Sequence, residues 1–295
     1  MAAEGSSRDS GQTFDRIAAA YDAVRSGYPA SLVDHAIERG SLDSGSRVLE
    51  VGCGTGKLTE LLVERGLRVD AVDPGPNMIA MARRRLGQTE AVTFHLGRFE
   101  DADLGGQPFD AVFSATAFHW VDPSVGWAKA AGLLEVGGLL ALLSHVSIRD
   151  EQSGAVEDEF AGVLRKHVPE IAGEWRPFLG LDDLLAGARE RRGNASEMWD
   201  WLLQGGLERP TLAVAEAAAL FEEVEVTSEA YTVEETADEW LALFRTTSLY
   251  QRIEPSRRAP LDEDARRLIE RLGGTVRSPL AVLLMTARRS ASRLR

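Results

Sequence analysis

Residues 47–60 read RVLEVGCGTGKLTE. The run Val48-Leu49-Glu50-Val51 passes straight into glycines and then into Leu58, Leu61 and Leu62 at helical spacing. This order predicts a buried strand, a tight loop and the start of a helix. Working outward, Arg65-Gly66 ends that helix. Val69–Asp73 reads as a second strand, and Met78, Met81, Ala82 and Leu86 mark the next helix. Val92–Leu96 and Phe109–Ser114 follow as strands, Val125–Leu134 as a helix, and Leu139–Leu143 as an apolar strand buried on both faces. Such alternation implies βαβ units and a mostly parallel sheet. Beyond Ile148 it lapses: residues 150–220 are mostly helical in pattern. Val224–Thr232 then reads as a strand, Ala237–Leu249 and Ala265–Leu272 as helices, and Leu280–Thr286 as a final strand. Upstream, Phe14, Ile17, Ala18, Tyr21, Val24 and Arg25 share one helical face, which Gly27-Tyr28-Pro29 stops. Ser31-Leu32-Val33-Asp34 reads as a capping box opening a second helix. The expected fold is α/β: a doubly wound, mostly parallel seven-stranded sheet with an N-terminal helical cap and a helical insertion after strand five. The expected segments are 1–46 (tail and cap), 47–149 (core), 150–220 (insertion) and 221–295 (strands and helices completing the sheet).

Composition narrows the function classes. With 295 residues, 44% of them hydrophobic and 27% charged, the chain has material for a sizeable core. Its net charge of −13 argues against a polynucleotide partner, which needs a basic face. The basic runs Arg83-Arg84-Arg85 and Arg288-Arg289 fall at expected element ends, where solvation or a helix C-terminus accounts for them. A single cysteine, Cys53, rules out an internal disulfide and suits a reducing compartment. His35, His95, His119, His145 and His167 show no metal-ligand spacing, so no metal is expected. The polar N-terminus lacks the apolar run of a signal peptide. Gly137–Val146 is too short for a bilayer, which takes about 20 residues. The expected setting is cytoplasmic, without a membrane partner; a homo-oligomer is left open.

The glycine loop discriminates among ligands. A P-loop needs Gly-x-x-x-x-Gly-Lys-Ser/Thr, but Val51 stands at the first glycine and Leu58 follows Lys57. A dinucleotide loop needs Gly-x-Gly-x-x-Gly, whose third glycine falls on Lys57. The observed Gly52-x-Gly54-x-Gly56 is one residue shorter.

VLEVGCGTG followed by VDAVDPGPNMIAMAR resembles the first two motifs of the class I SAM-dependent methyltransferases. FDAVFSATAFHWVDP and LLEVGGLLAL resemble that family's fourth and fifth motifs. FDRIAAAYDAVRSGYP is similar to the cap of its small-molecule subgroup, of trans-aconitate and ubiquinone-biosynthesis type, and Thr246–Tyr250 with the terminal Arg288-Arg289 strand also resembles that subgroup. The resemblance runs from about Phe14 to Arg289. It implies a Rossmann-like methyltransferase fold, S-adenosylmethionine (SAM) as cofactor with S-adenosylhomocysteine as product, and a small-molecule acceptor methylated at oxygen, nitrogen or carbon. A peptide or protein methyltransferase and a silent SAM-binding module are the alternatives.

Gly52, Gly54 and Gly56 let the backbone pass close to the methionine part, and the helix N-terminus behind them favours a carboxylate. Cys53 is part of the same loop. Glu50 serves either the ammonium or the turn itself. Asp73 suits both ribose hydroxyls or caps the helix ahead of Gly75-Pro76; Pro74 and Met78 follow it beside the cofactor. Where many relatives carry an aspartate for the adenine amine, this chain has Arg98, so Phe99 and Glu100 are the substitutes. Ala115 and Thr116 complete the cofactor set after strand four. In the same loop His119 is the candidate general base, since its ordinary pKa lies near neutrality, and Trp120 is a candidate acceptor contact. The resemblance implies that Arg25 pairs with the SAM carboxylate and that Tyr21 closes over the methyl group. Phe14, Trp240 and Tyr250 are further candidates for the acceptor wall, along with the tryptophans of 175–201. Lys57 reads as a solvated first-turn lysine.

Overall fold

The computed structural model describes residues 15–151, 155–175, 178–205 and 214–291. Strand β1 (Arg47–Val51) lies inside a sheet of seven strands. On one side it pairs in parallel with β2 (Arg68–Asp73), which pairs with β3 (Val92–Leu96). On the other it pairs with β4 (Phe109–Ala115), which pairs in parallel with β5 (Leu134–Ser147). β7 (Thr275–Arg289) runs antiparallel between β5 and β6 (Phe221–Thr236), giving the order β3-β2-β1-β4-β5-β7-β6. The chain leaves β1 toward β3 and returns at β4, so strand order reverses between β1 and β4. Ligands in such sheets bind outside the carboxyl ends at that point.

The expected strands all form, several longer than their apolar runs. β6 and β7 extend each other because an antiparallel pair satisfies backbone groups in pairs even where side chains are exposed. The sheet separates two apolar cores by simple alternation. Leu139, Ala141 and Leu143 join Val282 and Leu284 on one face, packing with Leu58 and Leu62 of α3 (Lys57–Glu64) and Val33 and Ala36 of α2 (Ala30–Gly40). Leu140 and Leu142 join Leu283 and Met285 on the other, with Trp127 of α5 (Pro123–Leu133). Helix α4 (Pro76–Leu86) follows β2, and α1 (Ala18–Val24) is the first described helix of the N-terminal cap.

Three expectations need correction. α2 has no capping box: its N-cap is Pro29 without a side-chain bond, because Ser31 is drawn to Glu229 on β6 and Asp34 to Arg65. The segment between β5 and β6 is not one insertion in packing terms. α6 (Ala155–His167) and α7 (Pro169–Ala172) form a satellite core with α11 (Ala237–Arg245), α12 (Ser248–Gln251) and α13 (Pro255–Arg271). α8 (Leu181–Glu190) and α9 (Ala195–Leu203) instead join the sheet core through Leu184, Met198 and Trp199; α10 (Ala217–Leu220) leads into β6. Finally, α13 begins ten residues before the expected Ala265, with Pro255 in its first turn and Pro260 inside. Pro at a first turn costs no hydrogen bond, and Leu261, Ala265 and Leu268 hold the rest to the satellite core.

Candidate active site

A cavity of about 910 Å³ opens at the carboxyl ends of β1, β2 and β4. That is near the top of the roughly 300–1,000 Å³ range of ligand pockets. One end is built from the glycine loop. Gly56 adopts φ +85° as the N-cap of α3, and a Cβ there would come within 3.0 Å of the Ala82 Cβ, so this glycine lets α3 and α4 approach. Gly52 is likewise hemmed in by Ala117. Gly54, at φ +54°, has nothing within 4 Å of its would-be Cβ. Of the loop glycines, Gly52 and Gly54 border the cavity, whereas Gly56 serves packing.

Asp73 ties the loop together. Its Oδ2 accepts the Gly54 N–H at 2.9 Å and its Oδ1 accepts the Gly75 N–H at 2.7 Å. Each carboxylate oxygen keeps a further lone pair for a ligand. Burial raises the Asp73 pKa against these two bonds. Glu50 is 1% exposed, and burial, opposed by a 2.6 Å hydrogen bond from Thr59 and assisted by the charge of Asp73, pushes its pKa up to about 8. A buried carboxyl in this condition fits a cationic ligand group. Burial also raises the Cys53 thiol well above its usual range, which leaves it an inert wall residue. Pro74, Met78, Phe99, Glu100, Ala115 and Thr116 border the same cavity. Arg98 donates to Glu100 Oε1 at 2.6 Å, and that oxygen also accepts the Asp122 N–H at 2.9 Å.

The other end is assembled from distant segments. His119 and Trp120 lie in a short 3-10 turn after β4, with ring centroids 4.8 Å apart, and both border the cavity. Thr116, just ahead of them, is held at φ +53°. Its hydroxyl accepts the Tyr28 O–H at 3.0 Å, and burial raises the Tyr28 pKa. Burial, with a smaller contribution from Arg25, lowers His119 to about 4. This overturns the expectation of a near-neutral base: desolvation disfavours the imidazolium, and the ring is neutral at physiological pH. Tyr21 and Arg25 also border the cavity. Arg25 lies over the Tyr21 ring at 5.3 Å and donates to the Thr246 hydroxyl at 3.2 Å, joining the cap to the end of α11.

Several functional candidates escaped sequence reading. His145 borders the cavity at 5.1 Å from the Tyr28 ring, and burial lowers it to about 4. Asp200 and Leu203 of α9 and Gln204 just after it border it too, as do Thr247 and Ser248. The residues at 200, 203 and 204 share a helical face, a signal the tryptophans beside them obscured. Those tryptophans are core instead: Trp199 is buried against the sheet, and Trp175 packs on Phe160. Trp240 and Tyr250 are likewise not at the cavity. Trp240 stacks on Phe244, and the Tyr250 O–H donates to Asp262 at 2.9 Å inside the satellite core. Phe14 lies outside the described residues.

Lys57 is not solvated. Its Nζ donates to the carbonyls of Asp22 (2.8 Å) and Arg25 and pairs with the Asp22 carboxylate at 3.5 Å. Arg85 donates to both Asp22 oxygens, at 2.9 and 3.0 Å, and Thr55 to one at 2.6 Å. Asp15 accepts the N–H groups of Asn77 and Met78 at the start of α4. The cap is thus pinned by two aspartates while Tyr21 and Arg25 face the cavity. No described helix is long and apolar enough to cross a membrane.

The methyltransferase-domain family model matches residues 49–142. An uncharacterized methyltransferase of Mycobacterium tuberculosis is 41% identical over 153 residues, which are 52% of this chain and 59% of that protein. A malonyl-acyl-carrier-protein O-methyltransferase of Acetivibrio thermocellus is 37% identical over 43% of this chain and 46% of its own. The ubiquinone biosynthesis O-methyltransferase of Methylocella silvestris is 34% identical over 48% and 55%. The aligned stretches thus span about half the length of these curated relatives. A putative type II methyltransferase from Anaeromyxobacter dehalogenans shares the fold at TM-score 0.53 and 22% identity, over 90% of this chain and 97% of that one. The (4+2)-cyclase SpnF shares it at TM-score 0.51 and 16% identity, over 97% and 96%. Residues 49–142 thus match a methyltransferase domain, and the chain shares the fold of a putative methyltransferase.

Proposed function

We propose that this protein transfers the methyl group of SAM to a small-molecule acceptor. The observation that carries the reading is one cavity joining a buried end with two carboxyl groups, Glu50 and Asp73, to a polar, aromatic end at His119, Trp120 and His145. The donor set fits the cofactor. Glu50 answers its ammonium, Asp73 has lone pairs left for two ribose hydroxyls, and Gly54 leaves the space a side chain would fill. Phe99 and Glu100 border the cavity beyond β3 and take the adenine. Bound there, SAM supplies a methyl group on a sulfonium that needs no further activation.

The chain's own work is alignment and exclusion of water; proximity alone is worth roughly 7–11 kcal/mol of such a barrier. Tyr21 and Arg25 close the cavity from the cap, and Arg25 is the cation nearest the carboxylate role. His119, neutral as folded, holds a lone pair that orients an acceptor hydroxyl or takes its proton as the oxygen–carbon bond forms. With a pKa of about 4 it is a weak base, suited to acceptors already close to ionisation. The names of the malonyl-acyl-carrier-protein and ubiquinone-biosynthesis relatives support a small or carrier-held acceptor in this fold. Native mass spectrometry for co-purified SAM or S-adenosylhomocysteine, followed by calorimetry with both, tests the donor assignment. Absence of binding at high micromolar concentration would refute it. A labelled-methyl screen over acids, phenols, amines and peptides then tests the acceptor.

A further inference from the structure

An ion pair stands in the loop after β3, at the wall of the cavity. Arg98 donates through a terminal nitrogen to Glu100 Oε1 at 2.6 Å, and the Asp122 N–H donates to the same oxygen at 2.9 Å. Both partners border the cavity, with Gly97, Phe99 and Val121 beside them. The loop that carries them is fixed. Lys129 of α5 donates to the carbonyls of Glu100 at 3.1 Å and Ala102 at 2.7 Å, and the buried Phe99 ring packs on Phe118.

An ion pair between two exposed side chains would carry little. Here the Glu100 side chain is only 10% exposed and Arg98 33%, so water competes weakly for the carboxylate. Both bonds to Glu100 fall on Oε1, which leaves the lone pairs of Oε2 for a ligand. The guanidinium has five N–H groups, and among the described residues no other carboxylate bonds it. The pair therefore presents a donor and an acceptor side by side. The outer edge of adenine is the complement: its N1 accepts and its exocyclic amine donates. Hypoxanthine reverses both positions, with O6 accepting and N1–H donating.

We propose that Arg98 and Glu100 together read the outer edge of the adenine, Arg98 donating to N1 and Glu100 Oε2 accepting the amine, so that the site selects a 6-amino over a 6-oxo purine. The proposal rests on the SAM-donor reading and adds to it the residues that select the base. Arg98 has two parts in this: it touches the base, and through Oε1 it positions Glu100.

Calorimetry on the full chain compares three ligands of one scaffold. They are S-adenosylhomocysteine, S-inosylhomocysteine with its 6-oxo edge, and S-tubercidinylhomocysteine, in which carbon replaces N7. The inosine compound is expected to bind at least about 30-fold more weakly than the adenosine one, since both contacts become mismatched. The tubercidin compound should bind within about threefold, because its outer edge is unchanged. Arg98→Met should weaken S-adenosylhomocysteine roughly three- to tenfold and shrink the discrimination against inosine. Glu100→Gln should shrink it further: the amide oxygen can keep the bonds of Oε1 while its N–H groups face the 6-oxo group. Equal affinity for the adenosine and inosine compounds would overturn the proposal. So would a larger loss from replacing N7 than from changing the 6-position, or variants that lower affinity and leave the ratio unchanged. The comparison on the wild-type chain decides the matter even if a variant fails to fold. If S-adenosylhomocysteine itself does not bind, the donor reading falls; if it binds and the bases are not discriminated, only this proposal does.

Discussion

At the donor end of the cavity, the groups facing a ligand come from residues 50–54 and 73–78, two stretches joined by one parallel strand pair. At the acceptor end they come from the cap, the turn after β4, the end of β5, α9 and the start of α12. The first end is held by backbone: Asp73 fixes the Gly54 and Gly75 amides, and the glycines fix the helix approach. The second is held by side chains across long sequence separations, such as Tyr28 to Thr116 and Arg25 to Thr246. Backbone-built sites tolerate few substitutions and serve one ligand. Side-chain-built sites can change acceptor without disturbing the donor, and substitutions should sort along that line.

The largest effect is expected at Asp73→Ala. It removes both amide anchors and the proposed ribose contacts, and charge-assisted bonds are worth about 1.5–3 kcal/mol each. Affinity for S-adenosylhomocysteine should fall about 100-fold or more by calorimetry. A small change would mean that the loop holds its shape without the carboxylate.

Glu50→Gln should cost about tenfold or more in affinity, and it separates binding from stability. The folded pKa of about 8 lies above the ordinary glutamate value of 4.5, so folding favours the protonated form. Any stability linked to this group is therefore full below pH 4.5 and is lost as pH rises toward 8. Gln mimics the protonated form, so the thermal midpoint at pH 8 should rise while affinity falls. Calorimetry in buffers of different ionisation enthalpy should show the wild-type protein releasing a proton on binding at pH 7, and the variant none. A midpoint that falls at pH 8 would contradict this account of Glu50.

The cap should give a smaller effect. Asp22→Asn weakens the contacts with Lys57 and Arg85, which are only partly exposed. Affinity should drop roughly three- to tenfold, and its dependence on salt should flatten. Limited proteolysis should show faster cleavage near residue 22. The smallest effect on the site belongs to Trp240→Leu. It should destabilise the satellite core by about 1–3 kcal/mol in urea unfolding, yet leave cofactor affinity unchanged. A change in affinity would mean that the satellite core and the cavity are coupled.

The segment RVLEVGCGTGKLTE shows why the donor end was legible. Its strand, turn and helix are dictated by local backbone preference, and its glycine spacing alone separates it from the phosphate loops. Alternating apolar strands announced the doubly wound sheet in the same way, since each run must bury both faces. Partner choice for charged side chains was not legible. Lys57 and Arg85 read as solvated until α1 brought Asp22 to them, and Ser31 read as a cap until β6 offered Glu229. Nor could the tryptophans be assigned, because a large ring serves a core and a cavity wall equally well. Only the packing of α9 turned Trp199 to the sheet and Gln204 to the cavity.

The sequence by itself therefore determined the sheet, the glycine loop and the two carboxyls at its rim, because these depend on interactions within a few residues or between neighbouring strands. Tertiary structure decided the acceptor wall, the latch on the cap and the protonation of Glu50 and His119. Burial and distant neighbours set those, and desolvation is a property of the folded whole and of no residue alone.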